Sequence, residues 1–282
     1  MSQSGPAWED PRRALARHGL HPKRSFSQNF LISKHAVEQI ADAAVRAVGE
    51  PVVELGPGLG TLTAALLRRG ARVHAIERDP DMVRVLGEEL AQFALTVEFG
   101  DVTRLDYSAL AAKHGGPLRV AGNLPYAITG AVLRNLVEFR TSLECVVVMV
   151  QREVRDRLVA RPATADYGAL TVFASAAFEI DTVLKVPKGA FHPAPKVDSS
   201  VVRLLPRATP LAVETEAFRS VVRAAFQSRR KTLRNALGHF HDRVHVQRAL
   251  SAANIDPARR GETLSIAEFA ALGRALTGTG AA

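Results

Sequence analysis

A single cysteine in 282 residues, Cys145, excludes an internal disulfide and a cysteine-rich metal centre. Its setting, the apolar run CVVVMV at 145–150, marks it as part of a buried strand. That run is also the longest of its kind, far short of the roughly 20 apolar residues a bilayer span needs, so no membrane partner is expected. No apolar signal-like segment opens the chain, and the expected location is the cytoplasm. The nine histidines show no spacing that would hold a metal, and no metal cofactor is expected. Internal repeats are absent. What remains is the composition of an ordinary folded protein, with 47% hydrophobic and 23% charged residues and a mean hydropathy of +0.02.

The formal charge of +9 is unevenly placed. Residues 1–35 carry a net +4, residues 206–282 a net +6, and the long middle only −1. A near-neutral body with two basic ends fits a catalytic unit flanked by contacts to a polyanion better than it fits a uniformly basic protein.

Along the chain, residues 1–22 mix Gly, Pro, Trp and Arg without sustained periodicity and read as a flexible basic arm. HAVEQIADAAVRAV then puts Val37, Ile40, Ala41, Ala44, Val45 and Val48 at helical spacing, with Ser33 as N-cap. Short apolar runs follow, alternating with helical patterns: PVVEL, ARVHAIE, LTVEFG, LRVAG and LECVVVMV, then FEIDTVLKVP and KVDSSVVRLLP. That alternation predicts repeated βα units, an α/β fold with seven strands, and an antiparallel last strand that makes the sheet mixed. After Pro206 only helical periodicity is present. The expected domains are therefore a catalytic body over 23–206 and a small all-α domain over 207–282.

VVELGPGLG, 52–60, is a strand running into a glycine-rich turn that opens a helix. Gly56, Gly58 and Gly60 let the backbone approach a ligand, and the helix start offers free N–H groups. The spacing is G-x-G-x-G, which differs from the dinucleotide fingerprint G-x-G-x-x-G. Glu77 closes the second strand, where an acid can accept hydrogen bonds from two ribose hydroxyls. Asp101 ends the third and can accept an adenine amine, or else cap a turn. With no cation in GPGLG to neutralise a pyrophosphate, an adenosine that carries methionine in place of phosphate fits better. Glu54 either organises the turn or reaches an ammonium group through water.

GNLPY, 122–126, lies just past the fourth strand, at the carboxyl edge where open α/β sheets bind ligands. Pro125 stiffens the loop. Asn123 and the Leu124 carbonyl can accept hydrogen bonds from an amino group, and Tyr126 can stack on a flat ring. Together they suit a planar base whose exocyclic nitrogen is presented to an electrophilic methyl group. The lone pair of such an amine is delocalised into the ring, so two acceptors that orient it supply much of the rate. No strong base is needed before attack, in keeping with a loop that holds neither His nor Lys.

These motifs, with KRSFSQNFL, VQREVRDRLVA, YGALTV, VPKGAFHPAPKVDSSVVRL and FQSRRKTLRNAL, resemble the ribosomal RNA adenine N6-dimethyltransferases over about residues 23–282. The resemblance implies a Rossmann-like class I S-adenosylmethionine-dependent methyltransferase fold with S-adenosylmethionine as methyl donor. It places cofactor contacts on Asn29, Leu31, Gly56, Glu77, Asp101 and Asn123, and Phe191 opposite Tyr126 as a second aromatic flanking the target adenine. Arg229, Arg230, Lys231 and Arg234, the last taken to lie one helical turn beyond Arg230, would form an RNA-contacting face.

Two branches share this core. One dimethylates two adjacent adenines in the 3′-terminal hairpin of 16S rRNA within an immature 30S subunit, and the other modifies one 23S rRNA adenine and confers macrolide resistance. NLPY, VPKGAFHPAPKVDSSVVRL and FQSRRKTLRNAL favour the first, with the protein monomeric when free. Two positions depart from that branch: Ser27 stands where it usually has Gly, and Ala127 where a polar residue usually follows NLPY. A mainly non-catalytic assembly factor and a nicotinamide-dependent oxidoreductase are the remaining readings. Intact NLPY weighs against both, and the glycine spacing against the second.

Overall fold

Strands such as PVVEL and CVVVMV, apolar on both faces, need cover on both sides. They form the centre of the sheet in the computed structural model, which describes residues 5–278. Nine strands are present among the described residues: β1 (Phe30–Leu31), β2 (Pro51–Leu55), β3 (Arg72–Glu77), β4 (Leu95–Phe99), β5 (Leu118–Asn123), β6 (Leu143–Gln151), β7 (Phe178–Val186), β8 (Phe191–His192) and β9 (Ser199–Pro206). Seven make one sheet in the order β4-β3-β2-β5-β6-β9-β7, and β1 pairs with β8 in a separate ribbon. The β4-β3-β2-β5-β6 run is parallel, whereas β9 is antiparallel to β6. The chain leaves β2 outward through β3 and β4, then returns to β5 on the other side of β2. That reversal opens a crevice at the carboxyl ends of β2 and β5.

By contacts the chain divides into two units, Met1–Arg155 with Ile180–Pro206, and Asp156–Glu179 with Arg207–Ala282. In the first, Val37, Ile40, Ala41, Val52, Leu66, Val73, Val147 and Cys145 share one buried cluster, so Cys145 is a core residue. Ser33 caps the helix Lys34–Ala44 by accepting a hydrogen bond from the Ala36 N–H at 3.3 Å. The helix stops at Ala44, earlier than the periodicity implied. Val45 is extended and Val48 is 86% exposed.

The arm differs from expectation. Pro11–Arg17 is a helix capped by Asp10, with Ala14 and Leu15 buried. Leu15 joins Phe30 and Met82 in a small cluster, Trp8 packs against the main core, and His18 and Arg17 both reach Glu89. Residues 5–20 are therefore docked on the first unit by apolar burial that no periodic pattern advertised. Residues 1–4 of the expected arm lie outside the described residues.

The second unit is helical, with helices at Ala169–Ala177, Glu216–Gln227, Leu233–Leu237, Arg243–Ala252 and Ile266–Gly278. It begins earlier than the expected boundary, because 156–179 joins it. The Tyr167 hydroxyl donates to the Leu264 carbonyl at 2.7 Å, and Phe173 meets Phe218 edge-on with ring centroids 5.9 Å apart. The apolar face that the sequence assigned to the catalytic body completes this second core instead. Among the described residues no helix is long and apolar enough to cross a membrane.

Candidate active site

The crevice between β2 and β5 holds a pocket whose wall includes Asn29, Gly56, Glu77, Asp101, Asn123 and Tyr126. Its floor depends on two glycines. Gly58 has φ +57°, a left-handed conformation that most side chains avoid, and its N–H points back to donate to Glu77 Oε2 at 3.0 Å. At Gly122 a Cβ would sit 2.8 Å from the Leu55 carbonyl oxygen, so only glycine lets β5 come this close to β2. The helix Thr61–Arg68 follows the turn without a side-chain cap from Gly60, and its Thr63 N–H turns to Glu54.

Three carboxyl groups line this pocket, against one guanidinium, that of Arg78. Glu77 Oε1 accepts from the N–H groups of Arg78 and Asp79 at 2.7 and 2.8 Å. Burial raises its pKa above the ordinary range even though these bonds oppose the shift. Asp101 Oδ1 accepts from the Thr103 N–H and hydroxyl at 2.9 and 2.7 Å, which lowers its pKa. Asp101 is thus a turn cap through Oδ1, while Oδ2 lies 3.9 Å from the exposed Arg78. Glu54 is buried, with its Oε2 held by the Thr63 hydroxyl at 2.6 Å. Burial and the neighbouring Glu77 push its pKa up to about 8, so it is mostly protonated at neutral pH and braces the turn. With Glu77 and Asp101 set against the single Arg78, the pocket suits a cationic ligand better than a diphosphate.

Asn123 ends β5, and its Nδ2 donates to the Asn29 carbonyl at 3.1 Å. That bond orients the carboxamide and leaves Oδ1 as its remaining acceptor. Leu124 is buried, and its N–H donates to the Met149 carbonyl at 3.3 Å, anchoring the loop to β6. The Pro125 carbonyl takes the Ile128 N–H and the Thr129 hydroxyl, closing a short turn over Tyr126–Ile128. Tyr126 is half-buried, its phenol 2.7 Å from the hydroxyl of buried Ser199 at the start of β9. No His or Lys lines the pocket.

The structure therefore brings Asn29, Leu31, Gly56, Glu77, Asp101, Asn123, Leu124, Pro125 and Tyr126 to one pocket. Phe191 lies apart from the pocket wall. It pairs with Leu31 across the β1–β8 ribbon, is only 3% exposed, belongs to the core cluster and is not among the residues lining the pocket. The basic cluster also differs from a continuous helix face, because residues 228–231 form the turn between two helices. Arg229 is committed within its unit, donating to Glu262 at 2.7 Å and to the Thr164 and Ala165 carbonyls. Lys231 lies 2.7 Å from His239, while Arg230 and Arg234 are exposed.

Both family departures have local explanations. Ser27 adopts φ +51°, the conformation glycine accepts without strain, at a cost on the order of 1 kcal/mol for serine. Ala127 is exposed on the turn. Sequence reasoning missed Lys23, Gln28, Asp79, Thr63 and Ser199. Thr63 meets Glu54 nearby in the chain, whereas the bonds from Lys23 and Gln28 to Asp79 and from Ser199 to Tyr126 cross more than 50 residues, beyond the reach of any spacing rule.

Comparison with known proteins places these observations. A family described as ribosomal RNA adenine dimethylase matches residues 19–275. The chain is 46% identical over 280 residues to a ribosomal RNA small subunit methyltransferase A of Anaeromyxobacter dehalogenans, covering 95% of this chain and 98% of that one. It is also 46% identical over 274 residues to the protein of that name in Myxococcus xanthus, covering 95% of each. Among solved structures, a dimethyladenosine transferase from Plasmodium falciparum superposes with a TM-score of 0.73 at 23% identity, covering 86% of this chain and 95% of that one. The 23S rRNA methyltransferase ErmE does so with 0.64 at 30% identity, covering 88% and 100%.

Proposed function

The chain belongs to the ribosomal RNA adenine dimethylase family, and on that premise we propose that it dimethylates the N6 amino groups of two adjacent adenines in the 3′-terminal hairpin of 16S rRNA during small-subunit assembly. Its fold is the Rossmann-like class I S-adenosylmethionine-dependent methyltransferase fold with a mixed sheet and an all-α C-terminal unit. The curated relatives are named for the small subunit, which supports 16S over 23S rRNA as the target. In this reading the protein works as a monomer in the cytoplasm on an immature 30S particle.

The observation that carries the proposal is the oriented Asn123 carboxamide beside Tyr126. S-adenosylmethionine supplies an electrophilic methyl group when bound. Glu77 would hold its ribose, Asp101 its adenine amine, and Gly56 and Gly58 give its methionine portion room along the turn. The target adenine leaves its stack and lies on Tyr126, whose ring is fixed by Ser199. Asn123 Oδ1 and the Leu124 carbonyl accept the N6 hydrogens and turn the nitrogen toward the methyl group. The proton leaves afterwards, to solvent or an acceptor, consistent with a pocket lined by neither His nor Lys.

The test supplies labelled S-adenosylmethionine with under-methylated 30S particles or with protein-free 23S rRNA and maps the product. Two adjacent N6,N6-dimethyladenines near the 16S 3′ end are expected. A single modified 23S adenine would move the protein to the resistance branch represented by ErmE, and label in neither RNA would favour an assembly role without catalysis.

The basic turn makes a second prediction. Arg229→Ala is expected to cost about 1 kcal/mol of stability, by loss of its carboxylate and carbonyl partners at a partly exposed site, with RNA affinity nearly unchanged. Arg230→Ala and Arg234→Ala are expected to weaken RNA binding and to flatten the plot of log affinity against log salt by about one unit each. Thermal melts and filter binding at several salt concentrations separate the two classes.

A further inference from the structure

Residues 23–31 bridge the carboxyl ends of β3, β2 and β5, and Ser25 to Leu31 form part of the pocket wall. Their two ends are held differently. At the β5 end the attachment is ladder and core. Leu31 pairs with Phe191, the Ile32 N–H donates to the Ala190 carbonyl at 2.8 Å, Phe30 and Leu31 are buried, and Asn29 receives the Asn123 amide.

At the β3 end the preceding residues stay docked through Leu15 and Leu20 on Phe30 and Met82, while residues 23–28 themselves are attached by polar and ionic bonds. Lys23 Nζ lies 2.6 Å from Asp79 Oδ1 and 2.5 Å from Asp81 Oδ2. The Gln28 side chain ties the same knot, accepting from the Lys23 N–H at 2.8 Å and donating to Asp79 Oδ2 at 2.7 Å. Asp79 is fully buried, and its own N–H donates to Glu77 Oε1. One aspartate therefore joins the segment that walls the pocket to the carboxylate assigned to the cofactor ribose. The Lys23 side chain is a third exposed, so salt reaches this end.

We propose that Lys23, Gln28 and Asp79 form a latch that closes residues 23–29 over the cofactor, and that opening it limits cofactor exit. The proposal rests on the S-adenosylmethionine reading of the pocket. The β3 end opens because its bonds can be exchanged for water and salt, whereas the β5 end is secured by backbone pairing and apolar burial. Lys23 is a positioning residue, acting through Asp79 and Gln28 on the wall of the pocket.

The experiment follows displacement of S-adenosylhomocysteine from the full chain by stopped flow, at low and high salt, for the wild type and Lys23→Met. The variant is expected to release the ligand about tenfold faster, with a rate that no longer responds to salt, whereas wild-type release accelerates as salt rises. Asp79→Asn, which keeps a side-chain acceptor for the Asp81 N–H, should behave alike. Hydrogen exchange without ligand gives a second readout: amides of 24–29 lose protection in Lys23→Met while those of β2 and β5 keep it. Unchanged release rate and unchanged salt response in the variant would overturn the latch. A wild-type chain that fails to bind S-adenosylhomocysteine would instead overturn the cofactor reading beneath it.

Discussion

Replacing Asn123 with alanine is expected to lower kcat for methyl transfer about a hundred- to a thousandfold, the range for loss of one preorganised polar group at a reacting centre. RNA affinity should change little. The carboxamide donates to the Asn29 carbonyl, so its Oδ1 is already aimed before RNA arrives and needs no reorganisation during the reaction. Alanine removes that acceptor and also frees Asn29, so cofactor affinity should fall modestly. Single-turnover rates at saturating cofactor isolate the chemical step. Asn123→Asp supplies an acceptor and loses the donor to Asn29, so its rate should lie between wild type and alanine. An alanine variant that turned over at the wild-type rate would remove Asn123 from the chemistry.

Glu77→Ala should abolish measurable cofactor binding at concentrations that saturate the wild type, a loss of about a hundredfold or more. A buried carboxylate that receives a diol contributes charge-assisted bonds, and its removal leaves buried donors unanswered. It should also destabilise the fold. The N–H groups of Gly58, Arg78 and Asp79 all end on this one side chain, and their loss is expected to cost about 3 kcal/mol. At the size of this first unit that corresponds to a fall in Tm of roughly 6–12 °C. Glu77→Gln separates the two effects. Its oxygen can still take the Arg78 and Asp79 N–H groups, and it removes the desolvation that raises the Glu77 pKa, but its NH2 faces the Gly58 N–H donor to donor, so stability recovers in part while cofactor affinity stays low. Calorimetric titration with S-adenosylhomocysteine beside thermal melts reads both; tight binding by the alanine variant would reassign the ribose acceptor.

Much of this site was legible because it is local. G-x-G-x-G must sit on a strand-to-helix turn, an acid at the end of β3 must lie beside that turn in a parallel sheet, and NLPY must close β5. Each inference needs only strand period, turn chemistry and the crossover rule. The Ser33 cap and the seven strands were readable on the same grounds. The β1–β8 ribbon was not, because two residues on each side carry no period. Phe191 and Arg229 show the complementary case. Both stand in motifs that point to substrate, yet one ring is buried against the core and one guanidinium is committed to Glu262 and two carbonyls.

The sequence by itself determined the strands, the glycine turn, the NLPY loop and the class of chemistry, since these are read from short local patterns and from conformations that only glycine or proline makes easy. Only the tertiary structure decided that residues 5–20 dock, that 156–179 completes the helical unit, that Ser199 holds Tyr126 and that Lys23 meets Asp79. Those contacts join side chains distant in the chain, and their partners exist only after β2, β3 and β5 have come together. The ordering entropy of such pairs is met by the whole fold, so no local pattern in the sequence records them.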